Sequence, residues 1–457
     1  MQHLRTRWNT VDFQARLCWE GLAVGVHSRR TLIVLSVTAL TAGVSASGAV
    51  RAGGTAAGGT AAAGARIARA DAPGARAVRA APPPAATPAV ARIQGWLHTD
   101  GTRIVDSDGR TVRFRGVDVS GMGHGWGRVT PDAGMNHCPS WTPPLASEAA
   151  HVARWGFNVV RLSFSWSNLE PRAPVGELAT GRHRYNRAYV RALSRAVGEF
   201  TGRGVAVVLQ MAQNNWSPAF RVRGRNHLKC GVGMPAWLYG IPYARVSAMS
   251  SSSFTIGAAR RSFFLNANDV QRAYAAAWAF VAGRFAGNHL VVGADMMNEP
   301  FTLGAFPASD LRLDRLYRTV GTAILAANPH LLLAFQDSQY HGPGSLALDG
   351  PPALPNVVYT FHLYTPVWSP GGRAMTQTYL RRARAWNVPL WISEFDAFGY
   401  ASPTGTRVRW AAHLAGMLRF CRLHGVGWTE FAYARRWMLD PATGRIRAGL
   451  VRVLRGA

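Results

Sequence analysis

What most limits the fold of this chain is an alternation. From about residue 96, short apolar or β-branched runs take turns with amphipathic stretches of helical period. Strand candidates fall at 113–119, 158–165, 205–212, 290–297, 331–335, 357–363, 390–393 and 426–431, mostly bounded by Gly, Pro or Asn. Helical patterns fill most of the gaps, at 145–155, 187–202, 269–285, 311–327, 375–386 and 407–423. Strands separated by helices in this way imply crossover connections, and so parallel βαβ units. Eight such units fit an α/β fold of the (β/α)8 TIM barrel type. An open doubly wound sheet would show the same alternation, but no Gly-rich nucleotide loop opens a helix here. Ahead of the barrel, residues 104–112 predict a short β-hairpin about an Asp108-Gly109 turn.

The first 92 residues read differently. Arg29-Arg30 precede an apolar stretch from 31 to 44, and small residues follow at 45–49. Positive flank, short apolar region and small residues make 1–48 an export leader, with a weak twin-arginine character. An uncleaved membrane anchor is the alternative, although a bilayer takes about 20 apolar residues. Residues 49–92 are Ala, Gly, Pro, Thr and Arg with almost no large apolar side chain, which predicts a disordered linker. The catalytic barrel is then 93–457. A secreted or cell-envelope location is expected, with membrane contact only through an uncleaved leader. Export permits disulfides. Cys138 and Cys230 lie in loop-like sequence and could pair, whereas Cys421 sits in an apolar helical pattern and reads as a buried thiol.

Formal net charge is +28, which raises nucleic acid as a partner. Yet all the basic residues except Lys229 are Arg, and no run of five occurs. No zinc-finger, helix-turn-helix or RNA-binding signature accompanies them, so no nucleic-acid role is expected. Adhesion to anionic surfaces is the plainer consequence. No Cys or His spacing suggests a metal site.

Barrel chemistry sits at the C-terminal ends of the strands. Reactive residues gather there. Arg161 lies within the second strand, Asn298-Glu299-Pro300 closes the fourth, and His362 and Tyr364 close the sixth. Ser393-Glu394-Phe395 closes the seventh, and Trp428, Glu430 and Phe431 lie along the eighth. Glu299 and Glu394 each end an apolar run, where an unpaired charge would be costly to bury. Each is therefore tied into an ion pair or used. Three strands apart, they would face each other across the barrel mouth. Two carboxyls facing across a sugar suit glycoside hydrolysis, provided that one stays protonated and the other ionised.

Asn298-Glu299-Pro300, Ser393-Glu394-Phe395, His362-Leu363-Tyr364, the run from Gly156 to Leu162 and the opening Arg113-Phe114-Arg115-Gly116-Val117 resemble the signatures of glycoside hydrolase family five. This is the cellulase-like clan of retaining barrels, and the resemblance covers roughly 93–457. The segments from Ser165 to Pro171 and from Gln213 to Ser217 are most similar to endoglycoceramidase-like members. The resemblance implies a retaining β-glycosidase acting on a carbohydrate or glycolipid, without cofactor or metal, as a monomer. It makes Glu299 the acid/base and Glu394 the nucleophile. Asn298 would hold the sugar 2-hydroxyl, Arg161 and Tyr364 would donate to Glu394, and His362 would bond near the acid/base and the sugar. Trp428 and Phe431 are candidates for the platform under the sugar, and Asn215 and Trp216 for further substrate contacts.

The chain also departs from that pattern. Gln210 and Ala212 stand where Asp and His are usual on the third strand, with Gln213 or Asn214 as replacements. Asp118 stands where Asn is usual on the first. An insertion of about 55 residues, 216–268, carries Trp237, Tyr239 and Tyr243, and Trp368 lies beyond the sixth strand. These aromatics either line the cleft or pack on themselves. The departures keep two rival expectations open: a non-catalytic glycan-binding barrel, and an envelope-associated interaction protein.

Overall fold

The computed structural model describes residues 93–124, 141–214, 216–223, 228–240, 254–300, 309–338, 348–367, 369–396, 410–434, 438–440 and 442–456. The leader, the linker, Cys138, Asn215, Tyr243 and Trp368 lie outside the described residues.

The described chain opens on an antiparallel hairpin, β1 (His98–Asp100) and β2 (Arg103–Val105), turned at Gly101 with φ 55°. The expected hairpin at 104–112 is mostly a turn. Only a single bridge, Val105 to Thr111, forms there. The reason is Asp106, whose Oδ1 accepts the backbone N–H groups of Asp108 and Arg110, each at 3.0 Å. That side chain gives the backbone an alternative to ladder pairing.

Then come β3 (Arg115–Val119), β4 (Val159–Phe164) and β5 (Ala206–Met211). An inserted antiparallel hairpin, β6 (Arg221–Arg223) and β7 (Leu228–Cys230), follows, then β8 (Val291–Asp295) and β9 (Leu332–Gln336). The last three are β10 (Val357–Leu363), β11 (Leu390–Phe395) and β12 (Gly427–Glu430). All but the four hairpin strands form one closed parallel barrel of eight, sealed where β12 pairs with β3. The helices between them include Arg187–Thr201, Val270–Arg284, Ser309–Ala327, Pro370–Ala385 and Trp410–His424. Several start where the sequence supplies a cap. Asn186 accepts the N–H of Ala188 and Tyr189, and Ser369 accepts that of Gly372 ahead of Pro370.

Strand side chains alternate, so each strand feeds two cores. Val160, Leu162, Phe164, Val207, Leu209, Phe335, Tyr359 and Phe361 face the helices and join the large outer core. Val159, Ala206, Val208, Val292, Leu332, Ala334, Val358 and Trp391 form a second cluster, which Ile93, Leu97 and Ile104 close at the strands' N-terminal end. Moving up the same parity from Val159 reaches Arg161. The barrel interior thus changes from apolar to charged within one step of two residues.

At Gly116 the wall is too tight for any side chain. A Cβ there would meet the carbonyl oxygen of Val159, its neighbour on β4, at 1.8 Å. We predict that Gly116→Ala costs about 3 kcal/mol or more, at the upper end for overpacking. A thermal unfolding midpoint equal to that of the wild type would contradict this packing.

Candidate active site

Arg161 comes first because its neighbours are arranged around it. It is fully buried on β4, and all five of its N–H groups are used. Nε donates to Asp295 Oδ2 at 2.7 Å, and one terminal nitrogen lies at 2.7 Å from the same oxygen. That nitrogen also donates to Asn298 Oδ1 at 2.9 Å. The other donates to Asp118 Oδ1 at 2.9 Å and to Glu394 Oε1 at 2.5 Å. Four strands, β3, β4, β8 and β11, are therefore tied together through one guanidinium.

Glu394 stands at the end of β11. Its Oε2 accepts from Tyr364 Oη at 2.6 Å and lies 3.3 Å from His362 Nδ1. Burial alone would push this carboxyl up. The imidazole of His362, the charge of Arg161 and the donors on Tyr364 and Arg161 outweigh it, and hold Glu394 below the usual carboxylate range. Tyr364 moves the other way: burial and the carboxylates of Glu394 and Glu299 raise its phenol well above its ordinary value. It is a donor that stays protonated.

Glu299 follows β8. The exit of that strand is pinned from the helix layer, where Tyr274 Oη and Trp278 Nε1 both donate to the carbonyl of Met296, at 2.8 and 3.0 Å. Glu299 has a left-handed backbone, φ 44°. Two side-chain amides hold it there. Its N–H donates to Gln336 Oε1 at 2.8 Å, and its carbonyl accepts from Gln213 Nε2 at 2.7 Å. The Glu299 carboxyl group shares a hydrogen bond with His362 Nδ1 at 2.8 Å, the donor being whichever of the two carries the proton, and it keeps partial access to solvent. One ligand atom each from Glu299, His362 and Glu394 lies within 4.8 Å of the others. Retaining glycosidases hold their carboxyls about 5–5.5 Å apart, and inverting ones more than about 6.5 Å. Among the described residues this is also the one trio close enough to share a metal ion. The guanidinium already against Glu394 disfavours a second cation there.

The sequence-derived candidates divide sharply. Glu299, Glu394, Arg161, Asn298, His362 and Tyr364 all converge on this site. Phe431 sits beside it, its ring 6.5 Å from that of Tyr364 and edge-on to it. Two others correct the expectation. Trp428 is no platform: it is 2% exposed and packs edge-on between Phe157 and Phe395 in the outer core. Its parity on β12 turns it towards the helices. Trp216 is wholly buried inside the insertion, against Phe263 and Phe264, with Nε1 donating to Tyr239 Oη at 2.7 Å. Trp237 likewise stacks edge-on with Trp166 and donates to the carbonyl of Glu170. Among the described residues, the insertion's aromatics pack on one another and on the barrel's outer core. Cys421 is a buried free thiol, as expected.

Sequence reading missed the placing of Asp118 and Asp295 against Arg161, and the role of Gln336. An acidic residue inside the apolar run 291–297 was the available signal for Asp295. Gln213 replaces the expected strand-end donor differently from the expectation, by binding the backbone of Asn298 and Glu299. A cavity of about 570 Å³ lies at the opposite, N-terminal end of the strands, lined in part by Phe114, Asn158, Leu390 and Gly427. It is remote from this chemistry.

A barrel whose strand ends bring together two carboxylates, one tied to an arginine and a tyrosine, belongs to the class of two-acid glycosidases. The comparisons agree. Residues 105–435 match the family model for cellulase, glycosyl hydrolase family 5. The chain belongs to that family, whose members hydrolyse O-glycosyl bonds. It is 26% identical over 252 residues to endoglycoceramidase I of Rhodococcus hoagii (strain 103S), covering 51% of this chain and 44% of that protein. An endoglucanase of Paenibacillus polymyxa is 22% identical over 294 residues, covering 60% of this chain and 62% of the relative. The chain thus spans about half the length of these curated relatives. The crystal structure of an endogalactoceramidase superposes with a TM-score of 0.63 at 23% identity, covering 79% of this chain and 84% of that one, which shows the shared fold.

Removing the Tyr364 hydroxyl takes away one of the donors that lower Glu394. We expect Tyr364→Phe to reduce kcat/KM by about tenfold, the scale of one hydrogen bond to a charged group. The acid limb of the pH profile should move to higher pH. An acid limb that stays put would remove Tyr364 from the control of Glu394.

Proposed function

We propose that the protein is a retaining β-glycosidase acting by double displacement on a glycoconjugate of the glycoceramide type. The approach of Glu299 and Glu394 to within 4.8 Å, with His362 between them, carries this reading. Glu394, kept ionised by Arg161 and Tyr364, attacks the anomeric carbon. Glu299 gives its proton to the leaving oxygen, and the glycosyl–Glu394 ester forms. Glu299 then takes a proton from water, which attacks the same carbon and releases Glu394. Each displacement inverts the centre, so the product keeps the β configuration. Neither step requires a metal or an organic cofactor. Asn298, held by Arg161 and the carbonyl of Gln213, would take the sugar 2-hydroxyl.

The glycoceramide preference is supported by the names of two similar proteins, an endoglycoceramidase and an endogalactoceramidase. We further propose that residues 1–48 direct export and that the barrel works outside the cytoplasm or in the cell envelope as a monomer. The support is the positive flank and short apolar stretch around Arg29-Arg30. N-terminal sequencing of the protein from culture medium tests the export proposal, with a start beyond about residue 44 expected.

The test of the reaction is an NMR time course on an aryl β-glycoside, where the β anomer should appear first. Inverted product appearing first would end the double-displacement reading. Glu394→Gln should lose about 10⁴-fold or more in kcat. Glu299→Gln should lose about 10²–10⁴-fold on a glycosphingolipid, but much less on a dinitrophenyl glycoside, whose leaving group needs no proton. Turnover of a soluble β-glucan in preference to the glycosphingolipid would favour a polysaccharide substrate.

A further inference from the structure

The carboxylates around Arg161 outnumber its charge. If Asp118, Asp295 and Glu394 were all ionised, three negative charges would face one guanidinium in the barrel interior, where an uncompensated charge is costly. The side chains of Asp118, Asp295 and Arg161 are each no more than 2% exposed. Moreover, Asp118 Oδ2 and Asp295 Oδ1 are both buried without a hydrogen-bond partner. An ionised carboxylate has about four acceptor sites to satisfy, and two buried oxygens without a protein donor in one cluster point to a bound proton.

The geometry also says where that proton sits. Asp295 receives two nitrogens of Arg161, both at 2.7 Å. Asp118 receives one contact, 2.9 Å long, from the nitrogen that also makes the shorter 2.5 Å contact to Glu394. Asp118 is the least compensated of the three. The other titratable groups facing it are Glu394 from β11, Asp295 from β8, Arg161 from β4 and the phenol of Tyr364, which follows β10. On β12, Glu430 pairs beside Val117 and is itself buried.

We infer that Asp118 is a positioning residue that carries a proton on its buried Oδ2, so that the charge of Arg161 stays committed to Glu394. In the ionised state Asp118 would compete with Glu394 for the same nitrogen. Burial, against the opposing charge of Arg161, does push the Asp118 carboxyl well above its ordinary value, with Glu394 and Asp295 adding to the rise. Asp295 is raised as well, again by burial first.

The kinetic consequence rests on the glycosidase reading, whereas the state of Asp118 does not, so the test has separate arms. Asp118→Asn keeps the shape and the oxygen facing Arg161 but cannot ionise; Asp118→Ala removes both. Near neutral pH, the infrared spectrum of the wild type should contain a neutral carboxylic C=O band that is missing from Asp118→Asn. The thermal arm has a definite sign. An acid raised in the folded state stabilises below its unfolded pKa of about 3.9 and loses that contribution as pH rises through the folded value. The midpoint of Asp118→Asn should therefore gain on that of the wild type as pH climbs. In kinetics, the acid limb governed by Glu394 should shift by less than about half a unit in Asp118→Asn, because the wild type is already neutral there. Asp118→Ala should lose more than about 100-fold in kcat. Absence of the band, a relative midpoint that falls with rising pH, or an acid limb that drops in Asp118→Asn would each show Asp118 ionised and overturn the inference. A folded Asp118→Ala enzyme with wild-type kcat would overturn its positioning role. A wild type without turnover would sink the glycosidase reading, while the infrared and thermal arms would still judge Asp118.

Discussion

Everything at the mouth of this barrel depends on one guanidinium held out of water. Arg161 spends five donors on four side chains from β3, β8, β11 and the turn after β8. Its planar fork suits that task in a way a lysine ammonium would not. Burying it lowers its affinity for a proton, yet the surrounding carboxylates more than reverse this and keep it charged. Losing one partner of such a buried cluster costs several kcal/mol, because the others are left uncompensated. The cluster therefore serves the fold and the proposed nucleophile, Glu394, together. It closes the apolar interior at the level where the chemistry begins, and it holds a carboxylate ionised in a setting that would otherwise protonate it.

Around that centre, the two acids are anchored by different means. Glu394 is embedded in its strand and constrained by donors to the carboxylate itself. Glu299 is constrained through its backbone, with a side chain that touches His362 and solvent. This asymmetry matches the tasks proposed for them. A nucleophile must be aimed and kept charged, whereas an acid/base must reach the leaving group in one step and water in the next. The insertion after β5 adds neither function directly. Its rings Trp216, Phe220, Tyr239, Phe263 and Phe264 touch one another and merge with the barrel's outer core, through Phe263 on Tyr274 among other contacts.

Much of this was legible in the sequence, for physical reasons. Each barrel strand is a short apolar or β-branched run, mostly bounded by Gly, Pro or Asn, so all eight could be placed to within about two residues. The two glutamates announced themselves as charges ending such runs. What sequence could not give was direction. Trp428 and Phe431 lie three residues apart at the end of one short segment, on opposite parities, and only the closed sheet decides which of them meets the helices. Trp216 was a candidate substrate contact through the resemblance of its segment, yet it is buried against Phe263 and Phe264. The company kept by Asp118 and Asp295 depends on a partner 43 or 134 residues away, which no local pattern encodes. The hairpin at 104–112 shifted because one aspartate side chain captured the backbone donors that pairing would have used.

The backbone clamp on Glu299 has a consequence of its own. Gln213 and Gln336 grip the peptide groups on either side of that residue, and neither amide gains or loses charge between strongly acidic and strongly alkaline media. The turn that carries Glu299 is thus held by groups indifferent to pH. Recharging the guanidinium's neighbours would leave that grip unaltered, but would unbalance the buried cluster that those same neighbours hold together.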